Sequence, residues 1–238
     1  MSPAAASNFD RVRSSLPADL DVVAAGGWNQ LTSLAENPKA ALIDLIADTR
    51  SSDDSKRDEK LNALVALLQA QGKGFEADLI DGEWTAVLGR NSKKSPRIQR
   101  LVGKLLRRGK KAESSSTDSA TLKTSRSFAN FDIGSMTFKN LATTPRGNGL
   151  LDATVAYRPQ SAAFETAPSG GIVLRRIGCD IVGAGFKYGR LPRIPLPIRA
   201  KGGYLDVLYL DEDMRITRGN RGGLFVHFRP DFAEEMLA

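Results

Sequence analysis

Few side chains in this sequence could take part in chemistry, and most stand where a structural role accounts for them. There is one histidine, His227, and one cysteine, Cys179. A structural zinc centre takes about four Cys or His ligands, so none can be assembled within the chain, and neither can a disulfide. A Ser-His-Asp arrangement would have to run through His227, which stands in the apolar run Phe225-Val226-His227-Phe228 and reads as a structural strand residue. Asp211-Glu212-Asp213 is a carboxylate cluster of the kind that holds a cation or does acid–base work. It falls in a tight turn near Arg215 and Arg218, and local ion pairs are its expected role. Arg218-Gly219-Asn220-Arg221-Gly222-Gly223 could take an anion on its N–H groups and guanidinia. Hairpin geometry explains its glycines equally well. With no supported nucleophile–base pair, we expect no catalytic residue, no metal and no cofactor, and read the chain as a non-enzyme.

The sharpest feature is electrostatic. Lys93, Lys94, Arg97, Arg100, Lys104, Arg107, Arg108, Lys110 and Lys111 follow one another with no acid between them. These nine cations exceed the net charge of +7, so the rest of the chain sums to −2. Ile98, Leu101, Val102 and Leu105, widened by Leu106, keep helical spacing on the opposite side. Such a helix can lie in a lipid headgroup layer with its apolar face down. It could also dock on an acidic protein, bind nucleic acid phosphates, or pack on the fold with its charges in water. Nucleic acid is disfavoured: no aromatics are interleaved for stacking, and the remainder is slightly acidic. Lys93, Lys94, Arg97, Ile98, Arg100, Leu101, Lys104, Leu105, Arg107 and Arg108 are therefore the candidate docking residues. Arg175, Arg176, Arg190 and Arg193 read as solvated charges.

The elements that would position these residues change character near residue 79. Asn37-Pro38 forms an N-cap and N1 pair ahead of Leu42, Leu45 and Ile46. Ser55-x-x-Asp58 resembles a capping box before Leu61, Leu64, Val65 and Leu68, with Gly72 as the stop. A further helix is expected over about 21–35. From Ile80 onward short apolar runs alternate with Gly/Pro turns. Strands are expected over 128–133, 136–141, 150–157, 172–177, 180–187 and 194–200. A three-stranded meander over 203–228, Gly-Tyr-Leu-Asp-Val-Leu-Tyr-Leu-Asp-Glu-Asp-Met-Arg-Ile-Thr-Arg-Gly-Asn-Arg-Gly-Gly-Leu-Phe-Val-His-Phe, completes the set. Many short strands without intervening helices indicate an antiparallel sandwich or closed barrel. The organisation expected is a flexible 1–20, a helical cap over 21–75, a barrel over 78–230 and a tail over 231–238. A basic helix and Ser-rich loop are inserted in the barrel at 93–127. No apolar run approaches the ~20 residues of a membrane-spanning helix. The first residues lack an apolar core, so a secretory signal is not expected.

The run at 203–228 closely resembles the C-terminal signature of the plastid lipid-associated protein (PAP)/fibrillin family. Leu79-Ile80-Asp81-Gly82-Glu83-Trp84 is similar to that family's first-strand opening, and Leu191-Pro192-x-x-Pro195-Leu196-Pro197 also fits. The resemblance implies a mainly β fold with N-terminal helices, a lipocalin-like antiparallel barrel with a helical cap. In such a barrel a late-strand arginine, Arg215 or Arg218 here, would stack on Trp84 as a structural plug. The resemblance also implies a peripheral protein of the chloroplast thylakoid or plastoglobule, its transit peptide removed or omitted.

A barrel of this size can enclose one small ligand. The candidate liners are Phe131, Phe138, Tyr157, Phe164, Phe186 and Tyr209, with Trp84 at the floor and Arg215 beside it. Sequence leaves open whether they line a hollow or fill a core. The leading expectation is a non-catalytic protein that binds a prenylquinone, carotenoid or acyl lipid, or docks on an anionic membrane surface. The alternative is an interaction module on a photosynthetic complex or prenyl-lipid enzyme, its barrel packed and empty of ligand.

Overall fold

Strand alternation in this chain closes a sheet on itself. The computed structural model describes residues 10–48, 54–90, 127–143, 148–160, 164–166 and 172–237. The basic stretch 93–111 and the loop that follows it lie outside them. Eight antiparallel strands form the barrel: β1 (Gly82–Arg90), β2 (Ser127–Asp132), β3 (Thr137–Thr143), β4 (Gly149–Pro159), β7 (Arg176–Tyr188), β9 (Ala200–Leu210), β10 (Met214–Gly219) and β11 (Leu224–Phe228). They neighbour one another in the order β4-β3-β2-β1-β11-β10-β9-β7, and a β4–β7 pairing shuts the ring. The first strand meets the last directly, Thr85 opposite Phe228 and Arg90 opposite Leu224. Register shifts in β1–β11, β9–β10, β4–β7 and β7–β9 mark the irregularities that bend strands round a small barrel. Two short strands, β5 (Phe164–Thr166) and β6 (Ile172–Leu174), pair as a separate hairpin, and β8 (Ile194–Leu196) pairs with the far end of β7.

One wall of the barrel is buried on both faces. Leu208, Met214, Ile216, Leu224, Val226 and Phe228 point outward against Leu42, Ile46, Leu61, Leu64, Val65 and Leu68. Those residues belong to α3 (Pro38–Ala47) and α4 (Asp54–Gln71), joined by Ala233 of α6 (Pro230–Leu237). This is why Met214-Arg215-Ile216-Thr217 is buried at every position although it is a single strand. Each fully covered aliphatic side chain contributes about 1.5–3 kcal/mol. A satellite core of Val12, Ala25, Leu31, Ala35, Ala63 and Leu67 seats α1 (residues 10–15) and α2 (Trp28–Leu34) on α4. A short α5 (Ala77–Ile80) leads into β1.

Local signals hold in part. Asn37 caps α3 as expected, its Oδ1 accepting from the Ala40 N–H at 3.2 Å with Pro38 behind it. Helix α4 begins at Asp54, so Ser55 lies inside it rather than capping it. The segment expected to split near residues 178–179 is continuous: Gly178 pairs with Arg158 on one side and Tyr204 on the other, and Cys179 with Tyr157 and Gly203. The break falls at Arg175 instead. Its side chain is buried, donating to Leu208 O at 3.0 Å, Gln69 O at 3.1 Å and Gly72 O at 3.3 Å. A guanidinium at the negative end of α4 satisfies carbonyls that the helix leaves open. Arg176 is not merely solvated either; it makes a two-pronged pair with Asp206 and stacks on Tyr204 at 3.7 Å. Gly72 lets the end of α4 approach β9, since a Cβ there would stand 2.7 Å from Leu208 O.

Replacing Arg175 with Met leaves those carbonyls unpaired in a dry place. Urea unfolding should show a loss of about 2–4 kcal/mol, with the midpoint falling and the slope unchanged.

Candidate ligand-binding interior of the barrel

The closed end is built around Trp84. Gly82 enters β1 with φ +85°, a left-handed conformation that β-carbon-bearing residues rarely adopt. Two residues on, the indole is fully buried at 0 % exposure, and its Nε1 donates to Ile80 O at 2.8 Å. The guanidinium of Arg229 lies 3.9 Å from the ring. From there Arg229 donates to Leu79 O at 2.7 Å, Asp81 O at 2.7 Å, Glu83 O at 3.1 Å and Glu212 O at 3.2 Å. The stacking arginine is thus Arg229, the first residue past β11, and not Arg218, which is exposed. Arg215 stands further off, 5.2 Å from Trp84. The pairing of Phe228 with Thr85 brings residue 229 to the start of β1, a register that the sequence does not declare.

Of the candidate liners, Phe131, Phe138 and Tyr157 gather at this same end. Phe131 and Phe138 stack at 4.5 Å, Tyr157 lies 5.7 Å from Phe131, and Phe75 meets Tyr157 edge-on at 6.1 Å. Ile80, Ile177, Val207 and Leu210 fill the gaps between them. They form a packed floor. Tyr209 does not line the interior: a register shift turns it outward to the helix-covered core, where its hydroxyl donates to Asp211 Oδ2 at 2.8 Å. Burial and that carboxylate push its pKa up. Asp211 and Asp213 both accept from Lys39 of α3 at 2.8 Å, so the acidic turn is tied to the helical cap and not to Arg215 or Arg218. Burial works against the charge of Asp211, but Lys39, Tyr209 and two backbone N–H groups together hold its pKa below the usual range. The side chain of Phe164 lies outside the described residues.

Away from the floor the interior changes. Pairing places Ala86, Gly89, Asn140, Ala142, Leu151 and Ala153 on the inward face towards the opposite end. All are at least partly exposed, Asn140 most clearly. Phe186 belongs here, opposite Leu151 and 6.5 Å from Tyr188. The lip beyond carries exposed apolar side chains, Tyr188 at 51 %, Leu191 at 59 % and Ile194 at 56 %, next in sequence to the exposed cations Lys187 and Arg190. From sequence, Leu191 belongs to a proline-rich motif and Ile194 to a strand over 194–200, and neither is among the candidate docking residues. Arg193 is pinned to Asp152 across this wall. The chain leaves β1 at Arg90 and re-enters β2 at Ser127, both at this open end.

Between floor and opening stands Arg215. It faces inward, 2 % exposed, with its guanidinium 4.7 Å from the Phe131 ring. Among the described residues its Nε and Nη1 have no hydrogen-bond partner, and neither has Nδ1 of His227, its cross-strand neighbour. Burial, with Arg229 as a like charge, pulls the Arg215 pKa down to about 9. Burial, with Arg215 next to it, holds His227 well below the ordinary range, so that imidazole is neutral at neutral pH. Cys179 also faces this interior, and burial reinforced by Asp180 pushes its thiol up to about 12.

The PAP_fibrillin family model matches residues 184–227, the stretch from the second half of β7 through β11. No curated protein and no solved structure matches the chain. Among the described residues no helix is long and apolar enough to cross a membrane, and no three His, Cys, Asp or Glu groups are placed to hold a metal ion.

Two outcomes follow from this geometry. Arg229→Lys keeps the charge but loses the fork that reaches several carbonyls and the flat face against Trp84. Chemical denaturation should show a loss of about 2–4 kcal/mol, the sum of charged hydrogen bonds and a cation–π contact. Cys179 should resist iodoacetamide at pH 8 in the folded protein and react in urea. Because its folded pKa lies above the unfolded value near 8.5, its contribution to stability is complete below that pH. It is lost as pH rises from there towards 12, which a pH series of melting temperatures would register.

Proposed function

We propose that this chain is a non-catalytic, plastid lipid-associated protein of the PAP/fibrillin kind. Its barrel takes one hydrophobic molecule, a prenylquinone, carotenoid or acyl lipid, and its open end docks on a thylakoid or plastoglobule surface. The observation that carries this reading is the division of the interior. An aromatic floor at Trp84 gives way to small, partly exposed inward side chains, and the lip beyond them sets Tyr188, Leu191 and Ile194 among cations. Burying an acyl or isoprenoid tail there yields about 0.8 kcal/mol per CH₂. The family match over 184–227 supports plastid lipid association.

The basic stretch 93–111 joins this reading through its attachment. It is inserted between Arg90 and Ser127, which both stand at the end of the barrel away from Trp84, and it carries nine cations. Each cation near an anionic surface contributes about 1 kcal/mol. Apolar lip residues would enter the headgroup layer while the cations hold the phosphates.

Flotation with vesicles containing anionic plastid-type lipids tests the docking. Alanine at Arg100, Lys104, Arg107 and Arg108 should weaken binding several hundredfold, and Leu191→Ser with Ile194→Ser should weaken it further. Unchanged binding in the quadruple variant would end the docking half of the reading. Native mass spectrometry of the protein purified from plastids tests the other half, since a barrel that carries no lipid, pigment or quinone would favour a pure interaction module.

A further inference from the structure

We propose that the barrel selects a long-chain carboxylate and holds it head-down, with the carboxylate on Arg215 and the tail running to the open end. This rests on the hydrophobic-ligand reading above and names its chemical class. The inward face described here is apolar or neutral from floor to lip, and Arg215 is the charged side chain set within it. Asp206 on the neighbouring β9, and Asp152 and Asp180 further round the wall, all point outward into ion pairs with Arg176, Arg193 and Arg158, and Glu83 and Asp132 are exposed. Among the described residues none pairs with Arg215. Its Nε and Nη1 are donors without acceptors, sealed from solvent beside the Trp84 and Phe131 rings.

An isolated cation in such a place is unfavourable, and a cation held only by aromatic faces stays under-compensated. A carboxylate brought in by a ligand supplies what the protein omits, two acceptor oxygens that match the guanidinium fork. His227 adds to the polarity of the same spot. Its Nδ1 is unpartnered and its cross-strand neighbours are Arg215 and Ala86. Ala86 is small, and beyond it on β1 comes Gly89, opposite Phe225, whose ring lies 6.4 Å from that of His227; a head group reaching Arg215 would pass along this wall. The floor of Trp84, Phe131, Phe138 and Tyr157 blocks deeper entry. A neutral tail would gain nothing from this arrangement, whereas an anionic head gains charge compensation in a site of low polarity.

The test uses cis-parinaric acid and its methyl ester as fluorescent probes, with a short-tailed benzoquinone as a neutral competitor. The wild-type protein should bind the acid at least tenfold more tightly than the ester. In Arg215→Met the two should bind within about twofold of each other. Arg215→Met should melt at or above the temperature of the wild type without ligand, since it removes a lone buried charge. It should also lose the extra stabilisation that the acid gives. Should Arg215→Met not fold, Arg215→Lys, which keeps the charge, must preserve the preference for the acid. Equal binding of acid and ester by the wild type overturns the anchor and leaves the hollow-barrel reading standing. So does a benzoquinone that displaces the acid as well as it displaces the ester and loses affinity with it in Arg215→Met. Binding of none of the three probes overturns the hollow-barrel reading and the anchor together.

Discussion

The contact on which the rest of the fold depends is the stack of Arg229 on Trp84. The two residues come from opposite ends of the barrel sequence, and their meeting is what fastens the first strand to the last. Trp84 cannot leave without exposing the largest buried side chain of the inner core. Arg229 cannot leave without abandoning carbonyls at 79, 81, 83 and 212. Closure of the ring removes the two sheet edges that an open arrangement would present to water and to other chains. The constraint also marks a direction: one end of the barrel is stopped by an aromatic plug.

The ring so closed has two unlike outer walls. Along β9, β10 and β11 the outward residues are apolar and lie under α3, α4 and α6. Along β3, β4 and β7 the outward residues are Lys139, Asp152, Arg158 and Asp180, wet and partly paired. Exposed pairs of that sort contribute roughly 0–1 kcal/mol each and serve solubility more than stability. Cohesion is therefore lopsided. The covered wall holds the barrel, with Arg175 under α4 and Lys39 over the acidic turn as its polar fastenings. The wet wall, with the lip beside it, is left free of packing demands.

How much of this could be read from the sequence differs by feature. The meander over 203–228 was legible because alternation and two turns state it within a few residues, and the Gly82-x-Trp84 opening marked the start of the sheet. The partner of Trp84 was not legible. Arg229 reaches it only through the register of β1 against β11, a pairing across some 145 residues that no local pattern encodes. Arg175 and Arg176 looked like solvated charges because nothing nearby in sequence names their acceptors, the end of α4 and Asp206. Tyr209 was misplaced for a subtler reason: the register shift beside Ile216 reverses the face of every residue after it, and period-two counting passes over such a shift. The acidic turn was correctly read as a structural ion-pair site but given the wrong partner, because Lys39 lies 172 residues away.

These constraints converge on Arg215. Its strand is buried on both faces, so a charge at that position has no route to water whichever way it points. Met214 and Ile216 take the outward face against the helices, and the inward face is left to Arg215. A hydrophobic residue would serve simple packing better, because taking a guanidinium out of water costs several kcal/mol even when it is well paired. Among the described residues it meets aromatic faces alone, at 4.7 and 5.2 Å, and Arg229 adds a second positive charge nearby. The floor can tolerate this because Trp84 and Phe131 offer their negative π faces, which offset part of the cost. What the floor cannot supply is an anion. Carboxylates on the outer wall are taken up in ion pairs, and among the described residues nothing but the Trp84 and Phe131 rings offsets the charge of Arg215.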